Sequence, residues 1–306
     1  MRLPLSCLFP VVAAYAATAG EAALQPGTLP ALWRTGGPYC EVLPDWEVHE
    51  YNEDFYILRE SGCVHYEKPF LYLIFGRDEA LLEDTGAGMV QTAPLIMDLI
   101  DRWAKHKNRM PVRLIVVHSH GHGDHTAGDA QFQAMSNIDF VAATPGAVSK
   151  AAAISSWPTE FGQIDLGGRV VDVVPIPGHH EASIALYDRL TGILLTGDSL
   201  YPGRLYAAEA EVAAYAASAQ RLADFVAVHP VAHVLGTHIE QTRTPYLDYP
   251  RGTAYQPEEH GLDLSRAHVL ELNDAFQRMK AKPQTVSLPD FSIVVRVPTP
   301  APRRTN

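Results

Sequence analysis

Basic residues are few in this sequence and are not grouped. Its 306 residues include 24 Lys and Arg against 35 Asp and Glu, a formal net charge of -11 with histidine neutral. Nowhere in the chain do more than two Lys or Arg residues stand next to one another. Proteins that bind nucleic acid or anionic membranes neutralise phosphate groups with clustered basic side chains. A nucleic-acid partner is therefore not expected.

Long apolar runs are missing from the body of the chain. A transmembrane helix needs about 18 consecutive uncharged apolar residues, and no stretch after residue 20 approaches this. Near the start, the single charge of Arg2 precedes an apolar stretch, and Ala17-Thr18-Ala19 provides an A-x-A cleavage site. Residues 1–19 are therefore predicted to be a secretory signal peptide, and the protein to be periplasmic or secreted. Without such a signal it would be cytoplasmic.

Cysteine is rare, with three in the chain. Cleavage after Ala19 would remove Cys7 and leave Cys40 and Cys63, an even pair in an oxidising compartment. Such pairs form structural disulfides there, so we predict a bridge between Cys40 and Cys63. Two unrelated buried thiols are the alternative.

Strand and helix patterns alternate along the middle of the chain. Short apolar runs at 55–58, 70–75 and 80–83 predict strands. Apolar residues at helical spacing over 91–105 then lead to the apolar run 114–117. This alternation predicts an α/β fold in which helices cover the sheets.

The alternating region is assigned to one domain over residues 55–282. An N-terminal extension is predicted at 20–54 and a C-terminal tail at 283–306, with a frayed end. Three segments lack strong periodicity: 31–54, 155–168 and 239–262. Long irregular segments in a compact domain are more often binding loops than connections without a function, so we expect binding loops here.

Histidine is over-represented, and four of the 14 histidines fall within residues 118–125. His120 and His122 are two residues apart, so in extended backbone they project to one side and can share a metal ion. Asp124 and His125 turn toward a second position. Imidazole and carboxylate are both zinc ligands, so two adjacent metal ions are predicted.

Three further candidate ligands follow predicted strands elsewhere, namely His179, Asp198 and His238. A glycine immediately precedes His179 and Asp198 and gives the backbone freedom to turn these side chains inward. His118, by contrast, is more typical of a buried core histidine than of a metal ligand.

Five motifs together resemble the metallo-β-lactamase fold superfamily. They are Asp84-Thr85-Gly86, the H-x-H-x-D-H motif from His120 to His125, Pro177-Gly178-His179, Thr196-Gly197-Asp198 and the late histidine His238. The resemblance implies a four-layer αββα sandwich in a single domain.

The same resemblance implies a ligand assignment. The first metal would be held by His120, His122 and His179, the second by Asp124, His125 and His238, and Asp198 would bridge the two. His180, next to a matched ligand, is expected beside the site or at the surface.

The implied chemistry is hydrolysis. Two zinc ions about 3.5–4 Å apart hold a bridging hydroxide near neutral pH and polarise a carbonyl or phosphoryl oxygen. Asp124 would also accept or pass on a proton of the attacking water. A bridging aspartate such as Asp198 resembles the lactonase, glyoxalase-II-like thioesterase and phosphodiesterase branches of the superfamily.

We therefore predict a dinuclear zinc hydrolase that acts on a small-molecule carboxylic ester or lactone. β-Lactam hydrolysis is the main alternative, and an iron-dependent oxidoreductase of the same fold is a less favoured one. With no obvious cluster of basic residues, phosphodiesters and glutathione thioesters are disfavoured as substrates.

Tyr201 stands three residues after Asp198, where acyl-homoserine lactonases of this superfamily carry a tyrosine that reaches the substrate carbonyl. A phenol there can stabilise an oxyanion, which makes Tyr201 a candidate catalytic residue. Ordinary packing of a half-buried ring is the alternative. Gly121 and Gly123 stand where the superfamily often has bulky residues, which indicates a wider mouth.

Overall fold

The computed structural model describes residues 23–34, 36–279 and 282–297. The predicted signal peptide at 1–19 and the predicted frayed end after residue 297 lie outside these ranges. Within them, no helix is both long enough and apolar enough to cross a membrane.

Six strands form the first sheet, and neighbours along the chain are neighbours in the sheet. They are β1 (Trp46–Asn52), β2 (Phe55–Glu60), β3 (Phe70–Phe75), β4 (Glu79–Glu83), β5 (Arg113–Val117) and β6 (Ile138–Phe140). Strands β1 to β4 pair antiparallel, whereas β4, β5 and β6 pair in parallel. The parallel pairs need crossovers, which contain the helices α1 (Thr92–His106), α2 (Gly123–Thr126) and α3 (Asp129–Gln133).

A second six-stranded sheet has the order β13-β12-β10-β9-β8-β7. Its strands are β7 (Gly162–Asp165), β8 (Val170–Pro175), β9 (Ile184–Asp188), β10 (Ile193–Gly197), β12 (His233–Gly236) and β13 (Asp263–Leu264). A small third sheet contains β11 (Arg204–Ala208), β14 (Val286–Ser287) and β15 (Ser292–Arg296). The remaining helices are α4 (Pro145–Ala151), α5 (Val212–Val228) and α6 (Arg266–Met279).

The two large sheets pack face to face, and helices cover both outer faces. Ile57 of the first sheet and Leu195 of the second share one buried cluster between the sheets. Leu58, the next residue along β2, points the other way and packs with Ile96 of α1. This alternation follows from the two-residue repeat of a strand. Helices α5 and α6 cover the second sheet on its outer side. The predicted four-layer αββα sandwich is confirmed.

The folded body extends past both predicted boundaries. Strand β1 lies in the predicted N-terminal extension but pairs with β2 along most of its length. Strand β15 lies in the predicted C-terminal tail but pairs in parallel with β11. The alternating pattern of β1 is masked by charged residues on an edge strand, and β15 is ordered by a partner about ninety residues away. Segment 155–168 likewise contains β7 rather than irregular chain alone.

The structure joins Cys40 and Cys63 in a disulfide, with Cα atoms 5.4 Å apart. The predicted bridge is thereby confirmed. It fixes the loop between β2 and β3, which packs closely on a second loop, since a Cβ at Gly62 would lie 2.4 Å from the Ala254 carbonyl oxygen. The bridge therefore anchors the loop that packs against residue Ala254.

Reduction of this bridge should lower the free energy of unfolding. It closes a loop with a sequence separation of 23 residues, for which loop-closure entropy gives about 3 kcal/mol. Denaturant unfolding of the Cys40→Ser/Cys63→Ser variant against the wild type measures the loss. Peptide mapping of unreduced protein that finds Cys40 and Cys63 unlinked would contradict the assignment.

Candidate metal centre

The predicted ligands meet at one edge of the sandwich, where several strands end. The histidine-rich segment follows β5, His179 follows β8, Asp198 follows β10 and His238 follows β12. At Asp198 the turn depends on Gly197, which adopts a φ of +52° and whose Cβ, if present, would lie 2.8 Å from Ser119 Cβ. Strand ends from both sheets thus place ligands from distant parts of the chain in one cluster.

Three imidazoles form the first half of the cluster. His122 Nδ1 lies 2.9 Å from His120 Nε2 and 3.0 Å from His179 Nε2. Burial lowers the pKa of all three imidazoles below the usual value. They are therefore neutral near pH 7, which is the form that binds metal.

The second half combines one carboxylate with two imidazoles. Asp124 Oδ2 lies 3.1 Å from His125 Nε2 and 3.2 Å from His238 Nε2. The two imidazole nitrogens are 3.3 Å apart. These three donor atoms can hold one metal ion.

Asp198 lies between the two halves and presents one oxygen to each. Its Oδ2 is 3.4 Å from His179 Nε2 and 3.8 Å from His120 Nε2. Its Oδ1 is 3.2 Å from His238 Nε2 and 3.5 Å from His125 Nε2. Thr237 Oγ1 donates to Oδ1 at 2.5 Å and fixes this orientation.

The charges of the cluster suit cations. Burial disfavours ionisation of Asp198, but His238 and His120 outweigh it and hold its pKa well below the usual range. Burial also opposes charge on His125, yet Asp124 and Asp84 raise its pKa well above the usual value. Among the described residues, the carboxylates of Asp84, Asp124 and Asp198 form ion pairs only with histidines. Divalent cations that displace the imidazole protons would balance these buried carboxylates.

The comparison with known proteins agrees with this geometry. Residues 69–238, more than half of the chain, match the Metallo-beta-lactamase superfamily. The chain belongs to this superfamily. It is a hydrolase, and its His and Asp groups indicate metal binding.

Two curated relatives are named acyl-coenzyme A thioesterase MBLAC2. The human protein is 26% identical over 229 residues and the bovine protein 25% identical over 228 residues. In both cases the match covers 63% of this chain and 81% of the relative. A solved metallo-beta-lactamase from Pontibacter korlensis superposes with a TM-score of 0.51 at 19% identity, covering 76% of this chain and 99% of that one. This similarity supports the shared fold.

Asp84, in the D-T-G turn of the superfamily pattern, orients His125 in the second half of the cluster. Its Oδ2 lies 2.8 Å from His125 Nδ1 and accepts from Ser119 Oγ at 2.8 Å, while Oδ1 accepts from the Ser119 backbone N–H at 2.8 Å. The side chain is fully buried. Carboxylates of this kind orient a ligating imidazole and raise its basicity. The D-T-G motif is recognisable in the sequence, but the role of Asp84 becomes visible only in these contacts.

Backbone carbonyls orient two other imidazoles in the same way. His179 Nδ1 lies 3.0 Å from the Tyr206 oxygen, and His238 Nδ1 lies 2.9 Å from the Glu67 oxygen. In both rings this leaves Nε2 directed at the cluster. Neither carbonyl could be found from sequence, because residue type gives no signal for a backbone partner.

His118 and His180 take the two roles expected of them. His118 is buried and bonded on both sides, with Nδ1 3.1 Å from the Val141 oxygen and Nε2 2.9 Å from Asp129 Oδ1. The His180 ring lies 5.3 Å from the His122 ring. It fills the space beside Gly121, where a Cβ would come within 2.8 Å of it. Of these two glycines, Gly123 is therefore the one that leaves open space at the mouth of the site, since a Cβ there would meet nothing within 4 Å.

A cavity of about 290 Å³ opens onto the cluster. Its walls include the loop 66–68, strand β11 and the loop 250–253, so segment 239–262 does contribute to a binding pocket. Four basic side chains also line it: Lys68, Arg204, Arg251 and Arg296. These four residues are far apart in the chain, so the sequence led us to expect no basic cluster. That expectation was wrong.

Tyr201 lines the cavity but directs its hydroxyl elsewhere. The hydroxyl donates to the Arg204 carbonyl oxygen at 2.6 Å and lies 3.3 Å from Glu240 Oε2. The ring is buried and contacts the His238 ring edge-to-face, with centroids 5.4 Å apart. This arrangement favours the packing interpretation over an oxyanion donor.

Proposed function

We propose that this member of the superfamily is a dinuclear zinc hydrolase that cleaves a carboxylic acyl bond in a small molecule. The observation that carries the proposal is the position of Asp198, with one oxygen toward each half of the cluster. The first zinc would be held by His120, His122 and His179, the second by Asp124, His125 and His238, with Asp198 shared. Zinc bound there would supply Lewis acidity and lower the pKa of a bound water to about 7.

The side chains of the cavity supply binding and proton transfer. Asp124 lines the cavity, and although burial disfavours its charge, His125 and His238 hold its pKa below the usual range. It is therefore ionised near neutral pH, the form that can bind zinc, and its place in the cavity is what suits it to pass on a proton of the attacking water. The rigid partners Asp84 and Thr237 keep the catalytic groups in place and so reduce the reorganisation that the reaction requires.

Carboxylic esters and lactones are the proposed substrates, and thioesters are a second candidate. Two observations favour a thioester: the curated relatives are named acyl-coenzyme A thioesterases, and basic side chains line the cavity. All three substrates react at an acyl carbon through the same tetrahedral geometry. The leaving group distinguishes them.

Metal analysis together with a hydrolysis panel tests this function. The panel contains a lactone, an aryl ester, an acyl-coenzyme A thioester and a cephalosporin. We expect about two zinc ions per chain, turnover of at least one of the first three, and loss of turnover on chelation with recovery on zinc addition. Cephalosporin turnover alone would point to a β-lactamase. A single iron with oxygen consumption would overturn the hydrolase mechanism.

We also propose that the protein is exported, with residues 1–19 removed. The disulfide between Cys40 and Cys63 supports this proposal, because such bridges persist in oxidising compartments. Mass spectrometry of the protein from its native host should give a mature N-terminus at Gly20. An intact Met1 terminus would argue for a cytoplasmic protein.

Tyr201→Phe should change kcat by less than about threefold, because the hydroxyl proton is engaged by a backbone carbonyl. It should lower the free energy of unfolding by about 1 kcal/mol, the usual value of one hydrogen bond. Steady-state kinetics and denaturant unfolding of the same variant separate the two effects. A fall of about a hundredfold in kcat and kcat/KM together would instead assign Tyr201 to the oxyanion.

A further inference from the structure

We infer that the mouth of the cavity binds a negatively charged group, a phosphate or a carboxylate, on a part of the substrate remote from the bond that is cleaved. This inference rests on the proposed function and names its substrate class, an acyl compound that carries an anion. The residues responsible are Arg251 and Arg296.

Both arginines are exposed and line the same cavity as the metal cluster. Arg204, on the same cavity, is neutralised by Glu240 at 3.0 Å and lies 3.7 Å from Asp248. Within the described ranges, neither Arg251 nor Arg296 forms an ion pair with a carboxylate. Their charges are therefore available to a ligand.

Aromatic side chains hold the two guanidinium groups in place without cancelling their charge. The guanidinium carbon of Arg296 lies 3.9 Å from the centre of the Tyr206 ring, within the range of a cation–π contact. Tyr66 lies beside Arg251 and raises the pKa of that guanidinium, and the Tyr66 hydroxyl donates to Glu67 Oε1 at 2.8 Å. Prepositioned guanidinium groups bind phosphate and carboxylate with little loss of side-chain entropy.

The two arginines lie next to the residues whose backbone carbonyl groups orient the metal ligands. Tyr206, under Arg296, provides the carbonyl oxygen that contacts His179. Tyr66, beside Arg251, precedes Glu67, whose carbonyl oxygen contacts His238. A molecule whose acyl carbon is at the cluster would therefore extend its remaining part between these walls of the cavity.

Lys68, a buried residue of the same cavity lining, adds a third positive charge. Its ammonium donates to the carbonyl oxygens of Tyr66 and Thr253 at 2.9 and 3.0 Å, which joins the two loops. Burial lowers its pKa to about 8, so it is still mostly charged at pH 7. The carboxylates of the same lining already have partners: Glu67 accepts from Tyr66, Glu240 pairs with Arg204, and Asp124 and Asp198 face the histidines of the cluster. The guanidinium groups of Arg251 and Arg296 are therefore the charges at this opening that can attract an anion.

Substrate pairs that differ in one anionic group test the inference. One pair is an acyl-phosphopantetheine thioester and the same acyl thioester of pantetheine, which lacks the phosphate. The other is mono-4-nitrophenyl succinate and 4-nitrophenyl butyrate. For Arg251→Ala and Arg296→Ala we expect kcat/KM for the preferred anionic member to fall about tenfold each, through KM, and the neutral member to change little.

Arg266→Ala is the matched control. Arg266 is another exposed arginine without an ion pair in the described ranges, but it lies at the start of α6 and does not line the cavity. This variant should behave as the wild type with every substrate. The pair that responds identifies the anion as a phosphate of the leaving group or a carboxylate of the acyl group.

A binding measurement makes the result independent of turnover. Calorimetric titration of the purified protein with inorganic pyrophosphate and with succinate should show about tenfold weaker binding of one of them to the Arg251→Ala/Arg296→Ala variant. Because the metal ligands are unchanged, this loss belongs to the arginines. Equal affinities in wild type and variant, or equal losses for neutral and anionic substrates, would overturn the inference. If the arginines affect anion binding but no acyl substrate is cleaved, the proposed function fails and the anion site stands.

Discussion

Replacement of Asp198 by alanine should reduce hydrolysis by about a thousandfold or more, because this carboxylate presents one oxygen to each half of the cluster. Loss of a residue that only hydrogen-bonds to a metal ligand lowers activity or metal affinity about 10–100-fold. Loss of a ligand shared by both metals should therefore have a larger effect. The fold should survive, since the apolar clusters on both faces of each sheet do not include Asp198. Steady-state kinetics, metal content and near-ultraviolet circular dichroism provide the three measurements.

His118→Ala is the control for this experiment. His118 belongs to the same histidine-rich segment, but its ring is bonded to Val141 and Asp129 rather than directed at the cluster. Its removal should lower the free energy of unfolding by about 1–3 kcal/mol while metal content and kcat remain close to wild type. Wild-type turnover by Asp198→Ala would rule out the shared-ligand role. An equal loss of activity in both variants would show that the ligand register is wrong.

Asp84→Asn should produce the second largest effect, through occupancy of the second metal position. Asp84 accepts from Ser119 twice and contacts His125 Nδ1, all at 2.8 Å. An amide cannot supply the same acceptors or the negative charge, so His125 loses its fixed orientation. Affinity for the second metal should fall about 10–100-fold. Competition with a chromophoric chelator measures this affinity directly.

Asp129→Asn is a matched control, because it is also a carboxylate paired with a histidine. Asp129 Oδ1 lies 2.9 Å from His118 Nε2 and accepts from Thr85 Oγ1 at 2.7 Å, but its histidine faces away from the cluster. This variant should lose some stability and keep both metals. Equal metal loss in the two variants would mean that Asp84 acts only through general stability of the turn.

Much of the fold and of the metal cluster could be predicted from local sequence. The strands near Phe70 and Val116, and the helices that follow, have apolar patterns strong enough to be recognised without tertiary information. The cluster was predictable because its histidines and aspartates follow predicted strands, and because five motifs in order resemble the superfamily pattern. The bridge between Cys40 and Cys63 was predictable from the count of cysteines together with the predicted signal peptide, whose removal leaves these two.

The pocket depended on tertiary structure. Strand β15, which carries Arg296, exists as a strand because β11 lies beside it, and no local pattern specifies a partner so distant in sequence. The basic lining was not predictable for the same reason, since Lys68, Arg251 and Arg296 approach one another only where two loops and strand β15 meet at one cavity. Tyr201 was a candidate by its spacing from Asp198, but the direction of its hydroxyl was decided by the Arg204 carbonyl oxygen. Residue type and spacing specify which groups can bind a metal, whereas the hydrogen-bond partners and the charges that surround a substrate come from the packing of remote segments.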